Sequence, residues 1–307
     1  MRLGVLDIGS NTVHLLVVDA APDARPLPAV DERSVVRLMR YVDSDGAVTD
    51  RGVAALTTAV RKAVKAAAKH DVDELIGLAT SALREAVNGQ EVLARLSETA
   101  GVPLQVLSGP AEAELTFLAA RRWHGWAAGR LLVLDIGGGS FEVALGLDET
   151  PEYAVSVPLG AGRLTKEFFP DDPPASKQID ALKAHVKKTL APIAKELSDL
   201  PEADHVVATS KTFRSLARLA GHQVAVVGPE ERRRMRLAGL KDWTPRLTKI
   251  PADQRMELPG ITPERTHQIV AGALVAQRAM KSFGIDELEI CPWALREGVI
   301  LRRMERL

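Results

Sequence analysis

Short apolar runs broken by glycine and small polar residues alternate along this chain with longer stretches whose apolar positions recur every three or four residues. "RLGVLDIGS" from Arg2 reads as a buried strand, and "VHLLVVDA" from Val13 resumes as a second strand after a turn, a hairpin signal. From Thr49 to His70 the spacing and the good helix formers predict a helix, and "ELIGLATSALREAVNG" follows as strand, turn and helix. "PLQVLSGPAEAELTFLAARRW" repeats that order. Gly109 serves there as cap and Pro110 as first helical residue, which puts Glu112 in the first helical turn.

After Gly129 the pattern restarts with "RLLVLDIGGGSFEVALGL", and "EYAVSVPLG" adds a strand. Residues 177–200 are helical in pattern, "DHVVATSKTFRSLARLAG" is strand, turn and helix, and "RTHQIVAGALVAQRAMKSFG" is a long helix. "DELEICPWALREGVILRRMERL" closes with strand, turn and helix, whereas residues 223–260, rich in Arg and Pro, show no clear period. The chain is α/β, and its restart near residue 128 suggests one architecture used twice. A length of 307 residues exceeds the comfortable size of one core. We expect domains over 1–127 and 128–294, with the last helix, 295–307, packed on the first.

Lys plus Arg equals Asp plus Glu, 40 against 40, so no global field recruits nucleic acid or an anionic membrane, and any polyanion must be gripped locally. The single Cys291 excludes an internal disulfide framework and a cysteine metal cluster. Too few apolar residues stand between Arg2 and Asp7 for a signal peptide, and no run is long enough to span a bilayer. A soluble, cytoplasmic protein is expected.

The two glycine turns carry the candidate chemistry. "LDIGSNTVHLLVVD" and "LDIGGGSFEVALGL" both place an acid at the end of an apolar strand, then glycine and small donors, then a second strand. A dinucleotide or Walker loop needs a helix after the glycines. Strand following strand points instead to a hairpin whose own amides form an anion-binding nest. Gly9, Gly137, Gly138 and Gly139 are the permissive positions, and Ser10, Asn11, Thr12 and Ser140 offer side-chain donors. A carboxylate beside phosphate needs a cation between them, so Asp7 and Asp135 read as direct or water-mediated partners of Mg²⁺ or Mn²⁺. The alternative is that each aspartate ties its own turn by accepting backbone N–H bonds.

The paired turns in a duplicated α/β chain resemble the actin, Hsp70 and sugar kinase superfold. In detail the chain resembles the exopolyphosphatase and guanosine pentaphosphate phosphatase family, through "DIGSNTVHLLV", "ATSALREAVN", "LSGPAEAELTF", "DIGGGSFEV", "VPLGAGRLT", "ATSKTFRSLA" and "LREGVI", in family order. The resemblance implies two actin-like (ribonuclease H-like) domains with an active-site cleft between them. It also implies Mg²⁺-dependent hydrolysis of terminal phosphate from inorganic polyphosphate or guanosine pentaphosphate. It makes Glu112 the base for the attacking water, Glu142 a second site acid facing metal or water, and Arg84 a phosphate contact. Phe141 stands where the family usually has threonine. "ATSKT" replaces a glycine-rich turn that faces adenine in nucleotide-binding relatives, which argues against the other reading in this superfold, a kinase or ATPase. A non-catalytic polyphosphate or alarmone sensor is opposed by the presence of both glutamates. The short chain leaves short polymers as the favoured substrate.

Ser210 and Lys211, after the Val206 strand, and Arg163 and Thr165, after Gly160, are weaker phosphate candidates. His14 is expected to be packed, since no second histidine lies at metal spacing. The run "ERRRMRLAGLK" from Glu231 reads as a solvated helix face, with docking of a polyphosphate tail as the alternative. Trp123, Trp126, Trp243 and Trp293 read as packing residues. The sequence leaves a homodimer open.

Overall fold

In the computed structural model, which describes residues 1–22, 24–224 and 232–307, the chain divides into two compact units. Unit 1 comprises Met1–Ala119 and Leu295–Leu307, and unit 2 comprises Ala120–Ala294. The first two apolar runs form the hairpin β1 (Arg2–Ile8) and β2 (Thr12–Asp19), paired antiparallel with Asp7 opposite His14. The strand β3 (Pro28–Val35) extends the hairpin on one side. On the other, β4 (Glu74–Ala79) and β5 (Leu104–Val106) run parallel to β1, giving the order β3-β2-β1-β4-β5. β3 has a half-exposed alternating pattern and no apolar run, which is why no strand is legible there from periodicity.

One face of this sheet packs on α1 (Asp50–Lys69) and α3 (Gly89–Ala100), with the short α2 (Ser81–Glu85) between them in sequence. Thr49 starts α1 by accepting a hydrogen bond from the Gly52 amide on its side chain. The helix α4 (Gly109–His124) is capped one residue earlier than expected. The Ser108 hydroxyl accepts from the Ala111 amide at 3.3 Å, supplying the bond that glycine cannot make.

Unit 2 repeats the plan. Its hairpin is β6 (Leu131–Ile136) and β7 (Phe141–Gly146), with Asp135 opposite Glu142, and β8 (Tyr153–Val157) flanks it. Then come α5 (Ala161–Phe168), α6 (Ser176–Ser198), β9 (His205–Thr209) and α7 (Ser210–Ala220). The chain continues through β10 (Gly221–Val224), β11 (Arg232–Arg236), α8 (Leu237–Leu247), α9 (Ala252–Arg255), α10 (Ile269–Ser282) and β12 (Glu287–Ile290). The sheet order is β10-β11-β12-β9-β6-β7-β8. Read from β8, its first five strands reproduce the order of unit 1, and β11 and β10 are an antiparallel addition. Phe141 is fully buried in the core of this unit.

Three expectations are corrected here. The long helix begins at Ile269, because Arg265 to Gln268 form a turn before it. Of the basic run, Arg232–Arg236 form a strand rather than a helix face and α8 begins at Leu237, Glu231 lying outside the described residues. In that strand Arg234 pairs with Glu287 and Glu289 at 3.3 Å, and Arg236 with Glu287 at 2.8 Å, so cross-strand acids neutralise it. Of the tryptophans, Trp123 and Trp293 pack edge to face at 5.2 Å, but Trp126 is 61% exposed beneath the Arg121 guanidinium.

The last helix, α11 (Leu295–Met304), belongs to unit 1. Val299, Ile300 and Met304 bury against Leu3, Val5, Leu16 and Leu78 on the second face of the sheet, each contributing roughly 1.5–3 kcal/mol. Gly298 lies against the Leu115 carbonyl of α4 so closely that any Cβ would overlap it. Among the described residues, no helix is long and apolar enough to cross a membrane.

Gly298→Ala is therefore expected to destabilise unit 1 by about 1–3 kcal/mol, read as a lower denaturation midpoint at unchanged secondary structure. A second expectation concerns His124 in the last turn of α4, where burial pushes the imidazole down to about 4 against the pull of Glu289. The unfolded chain then binds the extra proton first, so stability is lost as pH falls from about 6.5 toward 4. His124→Gln should flatten that slope, by up to about 1.4 kcal/mol per pH unit, in denaturant titrations across this range.

Candidate active site

A hairpin turn becomes an anion site only if its carbonyls are directed elsewhere, because turns bring N–H and C=O groups together in similar number. Both glycine turns meet this condition in the same way. In turn 1 the Gly9 amide donates to the Thr12 carbonyl at 3.0 Å, and in turn 2 the Gly137 amide donates to the Ser140 carbonyl at 2.9 Å. The remaining carbonyls are drawn away by the segment that follows the third strand. Ser10 O accepts from Leu38, and Asn11 O from Val36 and Arg37, at 2.8–2.9 Å. In unit 2, Gly137 O accepts from Ala161 at 3.0 Å and Gly138 O from Arg163 at 2.9 Å, while Arg163 Nε reaches Gly139 O at 2.8 Å. The amides of Gly138, Gly139 and Ser140 are left without a hydrogen-bond partner among the described residues. Gly160 makes this close approach possible, since a Cβ there would overlap the backbone of Gly139 and Ser140.

In turn 1 the side of Gly9 where a Cβ would project faces Asp7 Oδ1 at 3.9 Å and Thr80 Oγ1 at 4.0 Å. Thr80 and Ser81 come from the β4–α2 junction. The Thr80 amide donates to Ile8 O, and Ser81 Oγ lies 3.4 Å from Ser10 Oγ, both serines being buried. Arg84, one turn into the same short helix, donates from Nη1 to Glu112 Oε1 at 2.5 Å and to Leu107 O at 2.6 Å. The ion-pair partner of Arg84 is Glu112 of α4, itself buried. Helix α2 thus contributes to two pairs beside turn 1, Ser81 with Ser10 and Arg84 with Glu112.

Asp7 does not tie its own turn. Its Oδ2 accepts from Arg296 Nη1 at 2.9 Å, and its buried Oδ1 has no hydrogen-bond partner among the described residues. Burial raises the Asp7 pKa, and the Arg296 charge opposes that rise. His14, across the hairpin, is packed as expected. Its Nε2 lies 2.7 Å from Asp31 Oδ1, and burial, reinforced by the Arg296 charge, pushes it down to about 3 despite Asp31. It is therefore neutral at ordinary pH.

In unit 2 the position corresponding to His14 is Glu142, buried within β7 and accepting from Ser156 Oγ at 2.8 Å. Ser210 opens α7 with φ of +78°, a left-handed conformation that costs a non-glycine residue on the order of 1–3 kcal/mol. Its carbonyl accepts from Arg214 Nε, and Lys211, beside it, is half-buried. Arg265 sits close enough to Asp135 to interact with its charge and donates to Thr212 Oγ1 at 3.2 Å. Burial, with repulsion from Arg214, lowers the Arg265 pKa to about 10, so it stays a cation.

Arg296 and Arg265 had no role in the sequence reading. "LREGVI" marked the first as part of a motif, but only the fold shows that it reaches Asp7, 289 residues away. Arg265 lies just beyond the stretch that showed no period, and Gly160 looked like an ordinary loop glycine.

A five-strand order used twice, each time with a phosphate-type hairpin turn at the centre, defines a duplicated actin-like fold. The chain belongs to the Ppx/GppA phosphatase family, which it matches over residues 17–307. It is 48% identical over 305 residues to Exopolyphosphatase 1 of Mycobacterium tuberculosis, covering 99% of this chain and 89% of that protein. The fold is shared with an exopolyphosphatase from Cytophaga hutchinsonii, with a TM-score of 0.89, 23% identity and coverage of 100% and 99% of the two chains. It is likewise shared with the Aquifex aeolicus member of the family, at TM-score 0.80, 24% identity and coverage of 100% and 98%.

Gly160→Ala should push the α5 N-terminus off turn 2. The expected result is at least a tenfold loss of phosphatase turnover with the circular dichroism spectrum retained, measured on purified protein.

Proposed function

We propose that this protein is an exopolyphosphatase that removes the terminal phosphate of inorganic polyphosphate by attack of water. The observation that carries the reading is the placement by α2 of two pairs, Ser10 with Ser81 and Arg84 with Glu112, in the unit whose glycine turn has its Ser10 and Asn11 carbonyls withdrawn. Both turns are proposed to serve this one reaction. Phosphoanhydride hydrolysis is limited by charge on the phosphoryl oxygens, so fixed N–H donors that need no reorganisation lower the barrier. The amides of Gly138, Gly139 and Ser140, and the hydroxyls of Ser10, Ser81 and Ser140, supply such donors. Ser210 and Lys211 are proposed to extend the grip on the anion chain.

Glu112 accepts a hydrogen bond from the attacking water and takes its proton as the bond to phosphorus forms. Arg84 holds the Glu112 carboxylate in place and is itself proposed to meet substrate phosphate, for which its planar fork is suited. Family membership implies a reaction dependent on a divalent metal, and we propose Mg²⁺. Among the described residues no three His, Cys, Asp or Glu side chains form a cage, which suits an ion that is held by few carboxylates and by substrate oxygens. In unit 2, Asp135 and Glu142, opposite each other in register, are proposed as metal ligands, and in unit 1 the Oδ1 of Asp7 is proposed as one. When bound, the ion neutralises charge on the phosphate oxygens.

The test is phosphate release from polyphosphates of defined length, guanosine pentaphosphate and ATP. Polyphosphate is expected to be the best substrate by kcat/KM. Faster release from guanosine pentaphosphate would replace this reading with the alarmone phosphatase one, and phosphate transfer from ATP to a small acceptor would establish a kinase. Glu112→Gln should lower kcat about 10²–10⁴-fold with little change in KM. Wild-type turnover in that variant would remove Glu112 from the mechanism.

A further inference from the structure

Among the buried arginines, Arg121 donates to the Gly125 and Gly129 carbonyls, and Arg255 to those of Leu247 and Thr266 while also pairing with Asp172 at 2.7 Å. Arg296 is different. Its hydrogen bond goes to Asp7 alone, its Nε has no partner among the described residues, and both side chains are largely shielded from water. We infer that Arg296 is a positioning residue for the glycine turn of unit 1, gripping Asp7 Oδ2 so that Oδ1 is held toward the face of Gly9 that Thr12 O and Thr80 Oγ1 also line.

Three features support this. Asp7 is the penultimate residue of β1, and on its own hairpin the Gly9 amide is already used by Thr12 and His14 is turned to Asp31. Next, α11 is rigidly placed. Its apolar face is buried on β1, and Gly298 sits against Leu115 of α4, the helix that carries Glu112. Arg296 therefore sets Asp7 against the same framework that sets Glu112. Finally, a single charge-assisted bond to one oxygen orients a carboxylate while leaving the second oxygen's lone pairs available, whereas a bidentate fork would consume both. The inference rests on the proposed function only for its catalytic consequence; the orientation of Asp7 stands apart from it.

The experiment has a structural and a kinetic arm. A crystal structure of Arg296→Met is expected to show the Asp7 carboxylate turned away from the Gly9 side with α11 and Glu112 in place; an unmoved carboxylate overturns the inference whatever the substrate proves to be. Should the methionine variant fold poorly, Arg296→Lys keeps the charge and loses the guanidinium geometry, and the same structural criterion applies to it. In the kinetic arm, partners that orient a ligating carboxylate typically account for 10–100-fold in activity. Arg296→Met should lower kcat on polyphosphate by that factor with KM changed less than threefold, Arg296→Lys falling between it and wild type. In an Asp7→Asn background the loss from Arg296→Met should shrink below threefold. An equal loss in both backgrounds would show that Arg296 acts through something other than Asp7.

Discussion

The molecule depends on where backbone carbonyls go. A glycine hairpin offers amides to an anion, yet its own carbonyls repel that anion. Both halves solve this mainly with backbone: the segment after the third strand donates its N–H groups to the turn carbonyls, and in turn 2 the Arg163 side chain takes one more, that of Gly139. Much else in the architecture follows from that bond pattern. The third strand must end near the turn, β3 and β8 must therefore flank the hairpin, and Gly160 must have no side chain where α5 meets turn 2.

Duplication supplies two copies of this device, and the copies have diverged in charge while keeping their backbone. Across the hairpin from the strand-end aspartate, unit 1 has His14, neutral and bonded to Asp31, and unit 2 has Glu142. Asp7 is compensated by a direct bond from Arg296, whereas Asp135 and Glu142 bring two carboxylates to one strand pair with Arg265 in electrostatic range. The second hairpin thus sets two carboxylates opposite each other where the first sets one carboxylate opposite a histidine. The proposed metal would find both carboxylates there, and the glutamate proposed to activate water lies in unit 1. The repeats are equivalent as scaffolds and unequal as chemistry.

How far this could be read in the sequence follows from the range of the interactions involved. The two hairpins were legible because the signal is local: an apolar strand, an acid, glycines and a second strand within fifteen or so residues. The strand-turn-helix segments after Ala79 and Ala208 were legible for the same reason. β3 was not, since it lies at a sheet edge with alternating half-exposed residues, nor was β11, whose arginines look like a helix surface until Glu287 and Glu289 are seen opposite them. The Arg296 and Asp7 bond spans nearly the whole chain, and no periodicity reports a contact at that separation. The Ser108 cap was misplaced by one residue because Gly-Pro is itself a strong helix-start signal.

A chain with 40 basic and 40 acidic residues is proposed to bind one of the most highly charged linear anions there is, and the structure shows how this needs no basic surface. The arginine strand that looked suited to a polyanion is spent on its neighbours' carboxylates. The cations nearest the turns are also paired, Arg84 with Glu112 and Arg296 with Asp7. What remains unpaired in turn 2 is backbone amide, a donor that carries no net charge and attracts no counter-ions at a distance. Recognition by amides is short-ranged and depends on the anion entering the turn, so it favours the compact terminal phosphate over any polyanion passing the surface. In this reading, selectivity for a chain end comes from keeping the long-range field close to zero.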